Sequence, residues 1–312
     1  MYGNVESTEH ALRPLSWSRT VDRESVHRSS VAEVLLTDAL PCGGLTFRVA
    51  AQWSRSHPSF PDGGADRHHP LMVAETLRQI GIHLPLKYFD VSPDAHFLIK
   101  DLYFALDPDA EPRLAHGATD VSCLVVADDV RVAPDSGRAR GVRLRVWFWA
   151  DGRRFARASG RARFVERQDY AVLRAGRPPA PGAPMSSVGT RVCPESVGVG
   201  RARDVMVSAT PSALHVDPAD PLHPFFFDHG SDHVPGMVLL EAARQAAAWG
   251  SGGSAVRPLV VRLRAPRFTE FAPTARVECT WHGTAGVSFR VWQGEVRTAV
   301  GAMRFPRHAD NP

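Results

Sequence analysis

Two stretches of the chain are apolar around nearly the whole circumference of a helix, and β-rich segments follow each of them. This pattern predicts helices from Pro70 to Leu84 and from Gly236 to Trp249. The second contains an almost unbroken series of Met, Val, Leu and Ala side chains. A helix that is apolar on every side has to be enclosed by protein. A sheet curled around a central helix meets that requirement, so an α+β arrangement is expected in each half.

Segments rich in Val, Leu, Phe and Trp accompany both helices and predict the strands of those sheets. One strand is expected before each helix, at Val31 to Leu36 and at Asp204 to Val207. The strands expected after the first helix are Phe97 to Phe104, Val121 to Val126 and Val142 to Trp149. Those expected after the second are Leu259 to Leu263, Ala275 to Trp281, Val287 to Trp292 and Val296 to Phe305. The two halves therefore share one order of elements.

The halves also share residues at matched positions. The pattern Glu-x-x-Arg-Gln occurs in both helices, at an offset of 166 residues (241 minus 75). The matched residues are Glu75, Arg78 and Gln79 in the first helix and Glu241, Arg244 and Gln245 in the second. His57 and His223 match at the same offset, and Glu33 to Thr37 resembles Asp204 to Ser208. Chance is an alternative in a chain rich in Arg, Ala and Val, but several blocks in one order favour a duplication.

A segment rich in proline and glycine separates the halves. Residues 174–184 read Arg-Ala-Gly-Arg-Pro-Pro-Ala-Pro-Gly-Ala-Pro, a composition typical of an extended connector. The predicted domains are therefore residues 1–173 and 185–312. Duplicated folds joined in this way are expected to pair as an intramolecular pseudo-dimer, with the two helices side by side.

Composition narrows the class of protein. With 312 residues the chain is long enough for about two domains. A net charge of +4 is small for this length and argues against a nucleic-acid partner. Four scattered cysteines form no metal or disulfide motif, the first residues lack an apolar signal core, and no run of about 18 apolar residues occurs. A cytoplasmic protein without a membrane partner is expected.

One segment of the second half resembles a known family signature. Phe225 to Ala242 contains an aromatic run, a loop histidine, Pro-Gly and an apolar helix that carries a glutamate. This resembles the hotdog-fold β-hydroxyacyl-ACP dehydratases. The loop between His229 and Glu241 is two residues shorter than in that family, which argues against a dehydratase role for His229.

A second resemblance covers nearly the whole chain. It rests on five blocks taken together, which are Val26 to Arg28, Ala32 to Asp38, Ala51 to Trp53, Ala74 to Gln79 and His96 to Leu102. This combination resembles the A-factor biosynthesis family, the tandem-hotdog γ-butyrolactone synthases of actinomycetes. The resemblance implies a tandem hotdog fold in which two antiparallel sheets each wrap a central helix.

The resemblance also implies an activity. The enzyme would transfer a β-ketoacyl group from an acyl carrier protein to a hydroxyl of dihydroxyacetone phosphate. The phosphorylated ester is a precursor of butenolide, γ-butyrolactone or furan signals that control secondary metabolism. The alternatives are a dehydratase or thioesterase acting on acyl thioesters, and a non-catalytic protein that binds acyl chains or lactones.

Acyl transfer to a phosphorylated alcohol requires three kinds of group. A base takes the hydroxyl proton, ideally a carboxylate whose pKa is raised by burial. Backbone N–H groups at a helix start stabilise the thioester oxygen, and a guanidinium fork binds the phosphate. Glu75/Arg78 and Glu241/Arg244 are i,i+3 pairs among apolar neighbours, where an isolated charge is costly. A structural ion pair is the alternative to a catalytic role.

These requirements assign roles to the repeated residues. Because the resemblance marks them most strongly, Glu75 is expected to be the base and Arg244 the phosphate ligand, in a composite site between the halves. Glu241 serves a second site or holds Arg244 in place. The expected substrate-binding residues are Arg78, Gln79, Gln245, His229, His233, Gly236 and Met237.

Histidines near the two helix starts raise the question of a metal. They are His68, His69, His223, His229 and His233. No His-Glu-x-x-His pattern occurs and no second carboxylate lies at ligand spacing, so hydrogen-bonding roles are favoured. Neither a metal nor a cofactor is expected.

Overall fold

A computed structural model describes residues 13–55, 57, 66–114, 116–134, 136–176 and 188–306. The chain divides into two compact units. The first holds the described residues up to Ala175 except Asp101–Tyr103, and the second holds Asp101–Tyr103 and the described residues from Gly176 onward. Most of the predicted linker lies outside the described residues, so the predicted domain bounds stay a prediction.

Among its described residues, the first unit combines a long helix with six strands. The helices are α1 (Leu71–Tyr88) and the short α2 (Arg167–Leu173). The strands are β1 (Leu36–Pro41), β2 (Thr46–Ser54), β3 (His96–Leu106), β4 (Ala118–Val132), β5 (Ala139–Ala150) and β6 (Arg153–Val165). Their order in the sheet is β1-β2-β4-β5-β6-β3. The pairs β1–β2, β2–β4, β4–β5 and β5–β6 are antiparallel.

The second unit repeats this plan with shorter strands. Its long helix is α3 (Gly236–Gly250). The strands are β7 (Thr190–Arg191), β8 (Val207–Ala209), β9 (Leu214–Val216), β10 (Val260–Arg264), β11 (Arg276–His282), β12 (Gly286–Gln293) and β13 (Val296–Arg304). They follow the order β10-β13-β12-β11-β9-β8-β7.

Both long helices are enclosed by their own sheets. Residues from Leu71 to Leu77 are all buried in α1, and so are Met237 to Ala248 in α3. The strands supply alternate apolar side chains to this core, as in β5, where inward residues are buried and their neighbours are partly exposed. Trp53 of β2 also donates its indole N–H to Thr76 Oγ1 of α1, at 2.9 Å. The predicted α+β class, with a central helix enclosed by an antiparallel sheet in each half, is confirmed.

The strands predicted before each helix are wrong in all but their last residue. Val31–Glu33 and Ala202–Asp204 form 3-10 turns, and the strands begin only at Leu36 and Val207. The Ser30 hydroxyl caps the first of these turns by accepting a hydrogen bond from the Ala32 N–H. After the turn, a helix side chain accepts the Leu35 N–H, as described below, and the Leu35 carbonyl accepts the Gln52 N–H of β2.

Other differences concern helix ends and polar strands. Helix α1 continues four residues beyond the predicted end at Leu84, because Pro85 still accepts the Phe89 N–H through its carbonyl. Helix α3 ends within one residue of its prediction. The sequence did not predict β2, β6, β7 and β9, whose alternation is obscured by arginines or by short length. Within the described part of the chain, no helix has both the length and the apolar content to cross a membrane.

Candidate functional site

In the first unit a buried carboxylate lies among cationic and amide groups. Glu75, on the second turn of α1, is fully buried. Its Oε1 lies 2.7 Å from Arg28 Nη2, and its Oε2 accepts a 2.8 Å hydrogen bond from Arg78 Nε. Gln79 Nε2 donates to Oε1 at 2.7 Å. Every lone pair of a buried carboxylate that is satisfied in this way offsets part of the cost of removing the charge from water.

Gln79 joins this carboxylate to the chain before β1. Its Nε2 also donates to the Glu33 carbonyl at 2.8 Å, and its Oε1 accepts the Leu35 N–H at 2.9 Å. The amide therefore supplies the partner of the Leu35 N–H, while the Leu35 carbonyl accepts the Gln52 N–H of β2. All of its donors and its acceptor are bonded to protein, so its role in the structure is to hold the cluster. Its expected contact with substrate stays a prediction.

A buried histidine–carboxylate pair lies beside the same backbone. His57 Nε2 is 3.2 Å from Glu33 Oε2, and both side chains are almost wholly inaccessible to water. Glu33 supplies its backbone carbonyl to Gln79 and its carboxylate to His57. The pair thus anchors the turn that precedes β1.

The second unit contains a matching cluster. Arg244 Nε donates to both Glu241 oxygens at 3.0 and 2.9 Å. Gln245 Nε2 donates to Glu241 Oε1 and to the Asp204 carbonyl, at 2.8 Å each, and its Oε1 accepts the Met206 N–H at 2.7 Å. The glutamine–backbone contacts of the first unit thus recur residue for residue.

The histidine–carboxylate pair recurs as well. Asp204 and His223 lie 2.8 Å apart between Oδ1 and Nε2 and are buried, like Glu33 and His57. The duplication inferred from the sequence is therefore present at the level of side-chain contacts.

The two clusters differ in how the glutamate is paired. Arg28 stands five residues before Glu33 (33 minus 28), whereas Val199 stands five residues before Asp204 (204 minus 199). As a result, two guanidinium groups contact Glu75, whereas among the described residues only Arg244 forms an ion pair with Glu241.

They differ also in what encloses the arginine on the helix. Arg244 donates from Nη1 to the Val256 carbonyl at 3.0 Å and from Nη2 to the Val197 carbonyl at 3.1 Å, and its side chain is 2% exposed. Gly198, in the left-handed region at φ 64°, leaves room for Val256, since a Cβ there would collide with the Val256 side chain. The donors of Arg244 are therefore largely used by protein.

Arg78 has a more open environment. Its Nε and Nη2 donate to Glu75, and Nη2 also lies 3.4 Å from the Val26 carbonyl. Its Nη1 makes no hydrogen bond with any residue that the structure describes, and its side chain is 12% exposed. A guanidinium with an unused, accessible N–H edge is suited to bind an anion.

The pKa of Glu75 is shifted in the direction opposite to the one expected from the sequence. Burial raises the pKa of this carboxyl, but the charges of Arg28 and Arg78 and the hydrogen bonds from Arg78 and Gln79 outweigh it and lower the pKa to about 2. The expected rise of this pKa is therefore wrong for the protein without substrate, whereas the expected role of Glu75 as the base stays a prediction. Glu75 is an ionised carboxylate held by cations.

The other predicted residues lie around the start of α3. Gly236 and Met237 form its first turn, and space beside the Gly236 Cα is open. His233 Nδ1 lies 2.6 Å from Asp232 Oδ1 and its ring packs edge-on against Phe268, whereas His229 is exposed. Their expected contacts with substrate stay predictions.

Sequence reasoning did not assign Arg28, Glu33, His57, Asp204 and His223 to the site. The signal was present, since the histidines and acidic residues occur in the repeated blocks. What the repeat does not reveal is that they contact the Glu-x-x-Arg-Gln residues. Among the described residues, no group of three or more His, Cys, Asp or Glu is arranged to hold a metal ion.

Comparisons with known proteins place the chain among named relatives. Residues 11–166 and 184–257 match the model of the A-factor biosynthesis hotdog domain. A 2-oxo-3-(phosphooxy)propyl 3-oxoalkanoate synthase from Streptomyces virginiae is 35% identical over 253 residues, which cover 80% of this chain and 84% of the relative. A protein of the same name from Streptomyces coelicolor is 34% identical and covers 82% of this chain and 80% of the relative. One from Streptomyces griseus is 33% identical and covers 80% of this chain and 81% of the relative.

Solved structures with a similar course of the chain are more distant. An acyl-ACP thioesterase from Bacteroides thetaiotaomicron matches with a TM-score of 0.48 and 11% identity, over 83% of this chain and 98% of that one. The dehydratase domain from the CurF module of Curacin polyketide synthase matches with a TM-score of 0.46 and 10% identity, over 86% and 95%.

Proposed function

Because the chain belongs to the A-factor biosynthesis hotdog family, we propose that it is an acyltransferase that joins a 3-oxoacyl group to dihydroxyacetone phosphate. The relatives are named for the ester that such a reaction forms, in which a 2-oxo-3-(phosphooxy)propyl group is bound to a 3-oxoalkanoate. The structural observation that carries the proposal is a buried carboxylate on the central helix whose neighbouring arginine, Arg78, keeps an unused N–H edge.

The reaction exchanges one acyl bond for another. The hydroxyl oxygen of dihydroxyacetone phosphate attacks the thioester carbonyl, a C–O bond forms and the C–S bond breaks. The hydroxyl proton passes to a base on the enzyme and from there to the departing thiolate. No oxidant or reductant is needed, and the acceptor keeps its phosphate throughout.

Arg78 is suited to bind the acceptor, and Glu75 is suited to deprotonate it. The Nη1 edge of Arg78 binds the phosphate of the acceptor, with Arg28 as a second buried positive charge. The bound phosphate dianion partly neutralises the positive charges of Arg28 and Arg78, which otherwise stabilise ionised Glu75. The pKa of Glu75 therefore rises from its low value towards that of a useful base. The acceptor would in this way activate the carboxylate that deprotonates it.

Arg244 and Glu241 have a different part in the proposal. Their side chains are bonded to each other and to backbone carbonyls, so we assign them first to holding α3 in its unit. Direct binding of phosphate by Arg244 stays a prediction, and it requires Arg244 to exchange contacts with Val256 or Glu241 for the ligand. The Gly236 and Met237 amides, at the start of the same helix, are the proposed donors to the thioester oxygen.

The donor is proposed to be an acyl carrier protein that bears a β-ketoacyl chain. Carrier proteins are acidic, and the net charge of +4 on this chain favours association with them. A coenzyme A thioester has the same reactive carbonyl without the protein surface. Comparing the two donors therefore separates recognition of the carrier from recognition of the acyl group.

The test is turnover with defined substrates. Purified full-length chain is mixed with a β-ketoacyl thioester, on carrier protein or on coenzyme A, and with dihydroxyacetone phosphate. Mass spectrometry is expected to show the phosphorylated ester, together with one free thiol per ester. Dihydroxyacetone without phosphate serves as the matched acceptor and is expected to react poorly. Intact thioester and no ester, with folded protein, would overturn the proposal.

A further inference from the structure

Three neighbouring strands of the first unit carry a large excess of positive charge. Strands β4, β5 and β6 contain nine arginines and three aspartates, and no lysine, glutamate or histidine. This excess of six charges is larger than the net charge of +4 on the whole chain. Successive side chains of a strand point to opposite faces of the sheet, and the apolar ones here are buried against α1. Most of the arginines therefore lie on the outer face of the sheet.

The strand pairing brings arginines and tryptophans together on this outer face. Residues of β5 lie directly opposite residues of β6 in three successive outward pairs, which we call the arginine face. These pairs are Arg143 with Arg161, Trp147 with Arg157, and Trp149 with Arg154. The first and last arginines and Arg157 are exposed, and both tryptophans are partly exposed. The side chains are thus neighbours in one surface that solvent reaches.

Two aspartates of β4 neutralise part of the charge at one end of this face. Asp128 lies opposite Arg143 in the sheet, but its Oδ1 accepts a 3.1 Å hydrogen bond from Arg145 Nε. Asp129 Oδ2 lies 3.9 Å from Arg161 Nη2. Exposed pairs of this kind contribute little to stability and are readily exchanged for other partners.

The rest of the charge has no partner in the described part of the chain. The third aspartate, Asp120, accepts a hydrogen bond from Gln52 of β2 at 2.9 Å. Arg143 and Arg154 form no ion pair with any described residue. Arg143 also lies opposite Arg161, and like charges directly opposite in a sheet are unfavourable for folding. An anionic partner would remove this repulsion.

The sheet of the second unit is also rich in arginine, but its charges are arranged differently. Arg290 lies opposite Glu278, which also accepts a 3.1 Å hydrogen bond from Arg276 Nε. Arg276 and Arg297 both lie over the ring of Trp292, at 5.4 and 5.9 Å from its centre. In the pairs that join β10 to β13, β12 to β13 and β11 to β12, no arginine lies opposite another arginine. Opposed arginines are therefore a property of the first unit.

The arginine face extends to the end of the sheet at which α1 begins. Arg154 is followed by Phe155, whose ring packs edge-on against that of Trp53 at a centroid distance of 5.5 Å. Trp53 in turn donates to Thr76 of α1, the residue after Glu75. A partner bound at this end of the face would lie near the first turns of the helix that carries Glu75.

We propose that the arginine face is the docking surface for the acyl carrier protein that supplies the thioester. This inference rests on the proposed function, from which it takes the donor, and it adds the surface at which the protein part of the donor binds. Acidic side chains of the carrier bind the guanidinium groups, and the two tryptophans supply apolar contact area. Arginine and tryptophan are the residues enriched where protein surfaces bind each other. The aspartates on the face disfavour a continuous row of phosphates, as in a nucleic acid or a lipid surface.

The experiment compares two donors of one acyl group. The first is a β-ketoacyl chain on a purified bacterial acyl carrier protein. The second is the same chain on pantetheine, which has the thioester arm without the protein. Ester formation with dihydroxyacetone phosphate is measured with the full-length chain, and anisotropy measures binding of fluorescently labelled holo carrier protein. Because exposed charges make the contact, binding is expected to weaken as salt is raised.

Two variants of the face and one control locate the docking surface. Arg154→Glu and the double variant Arg143→Gln/Arg154→Gln should each raise the KM for the acyl carrier protein about tenfold and leave the KM for acyl pantetheine unchanged. The double variant should not lower the melting temperature, because it removes the repulsion between Arg143 and Arg161. The matched control is Arg264→Glu, an exposed position of β10 that lies opposite Val300. It should change neither KM.

The outcomes distinguish this inference from the proposed function. Ester formation from both donors, with the same KM for the carrier in wild type and face variants, would overturn the docking surface and leave acyl transfer intact. No ester from either donor would overturn the proposed function, whereas weaker carrier binding in the face variants would still support the surface. Unchanged carrier binding in these variants, with loss of binding to phosphatidylglycerol vesicles or to single-stranded DNA, would assign the face to a lipid or nucleic-acid partner and overturn the inference.

Discussion

Glu75 combines two properties that a single side chain seldom has together. It is fully buried, and it is held ionised by Arg28 and Arg78. The buried environment makes any change of its charge or partners energetically large. The residue therefore stabilises the fold, and we expect a substrate anion bound near it to have a large effect on its pKa.

Removal of this charge is expected to affect both stability and turnover. Glu75→Gln leaves the buried guanidinium of Arg28 and the partly buried guanidinium of Arg78 without their counter-ion, and the free energy of unfolding should fall by about 3–5 kcal/mol. If the side chain is the base, kcat should fall about 10²- to 10⁴-fold in protein that is still folded. Denaturant unfolding and ester formation, measured at low temperature, check the two effects.

The control is the same change in the duplicate. Glu241→Gln strips Arg244 of its partner and should lose comparable stability, but kcat should fall far less. Equal losses of kcat in the two folded variants would contradict the assignment of the base to the first unit.

At the scale of elements, the two glutamines connect the long helix of each unit to the chain that leads into β1 or β8. Gln79 binds the backbone of Glu33 and Leu35, and Gln245 binds that of Asp204 and Met206. Replacing either amide with leucine leaves a buried N–H and a buried C=O without partners, at about 1–3 kcal/mol for each group. Thermal unfolding of Gln79→Leu and Gln245→Leu should therefore show lower melting temperatures, whereas Gln168→Leu on the exposed face of α2 should not. An unchanged melting temperature in the first two variants would contradict the structural role.

Helix α1 also makes stability depend on pH. Burial holds the pKa of His83 at about 4, below its ordinary 6.5, so the folded state binds fewer protons than the unfolded state between these values. The stability from neutral His83 is complete above pH 6.5 and is lost as the pH falls towards 4. Lys87 opposes protonation of His83, whereas Asp22 and Asp38 favour it.

Urea unfolding across this window measures the effect. The wild-type chain should lose stability on acidification from pH 6.5 to 4, and His83→Gln should show a flatter profile. Acid loss below pH 4.5, where Glu75 begins to protonate in the unfolded state, should persist in that variant. A profile in His83→Gln that matches the wild type would contradict this explanation.

The elements also show what the sequence can and cannot predict. The enclosed helices were predictable because an apolar circumference has one physical solution, and α3 ends within one residue of its prediction. The predicted strand at Val31 to Leu36 was wrong because β-branched residues there favour a strand locally, while Ser30 and Gln79 bind the backbone in a turn. Contacts between distant residues decide such cases, and a local pattern does not contain them.

At the scale of the whole molecule, duplication followed by divergence is the main feature. Both units keep the glutamate, arginine and glutamine of the helix and the buried histidine–carboxylate pair. They differ at Arg28, which Val199 replaces, and at the carbonyl of Val256 that binds Arg244. The shared contacts stabilise each fold, and the differences leave the Nη1 edge of Arg78 in the first unit without a hydrogen bond to any described residue.

The same comparison shows how far the site itself was predictable. The repeat indicated Glu75, Arg78, Gln79 and their counterparts, and the family assignment is confirmed. The roles of these residues stay predictions. The sequence did not indicate that Arg244 is enclosed while Arg78 is not, because that difference arises from Val256 and Gly198, which lie outside the repeated blocks.

The most direct measurement is the KM for dihydroxyacetone phosphate in Arg78→Lys and Arg244→Lys, with the thioester saturating. Lysine keeps the charge but lacks the fork that binds two phosphate oxygens. We expect Arg78→Lys to raise this KM about tenfold or more and to leave the KM for the thioester unchanged, whereas Arg244→Lys should mainly lower the melting temperature. A raised acceptor KM in Arg244→Lys together with an unchanged one in Arg78→Lys would contradict this expectation.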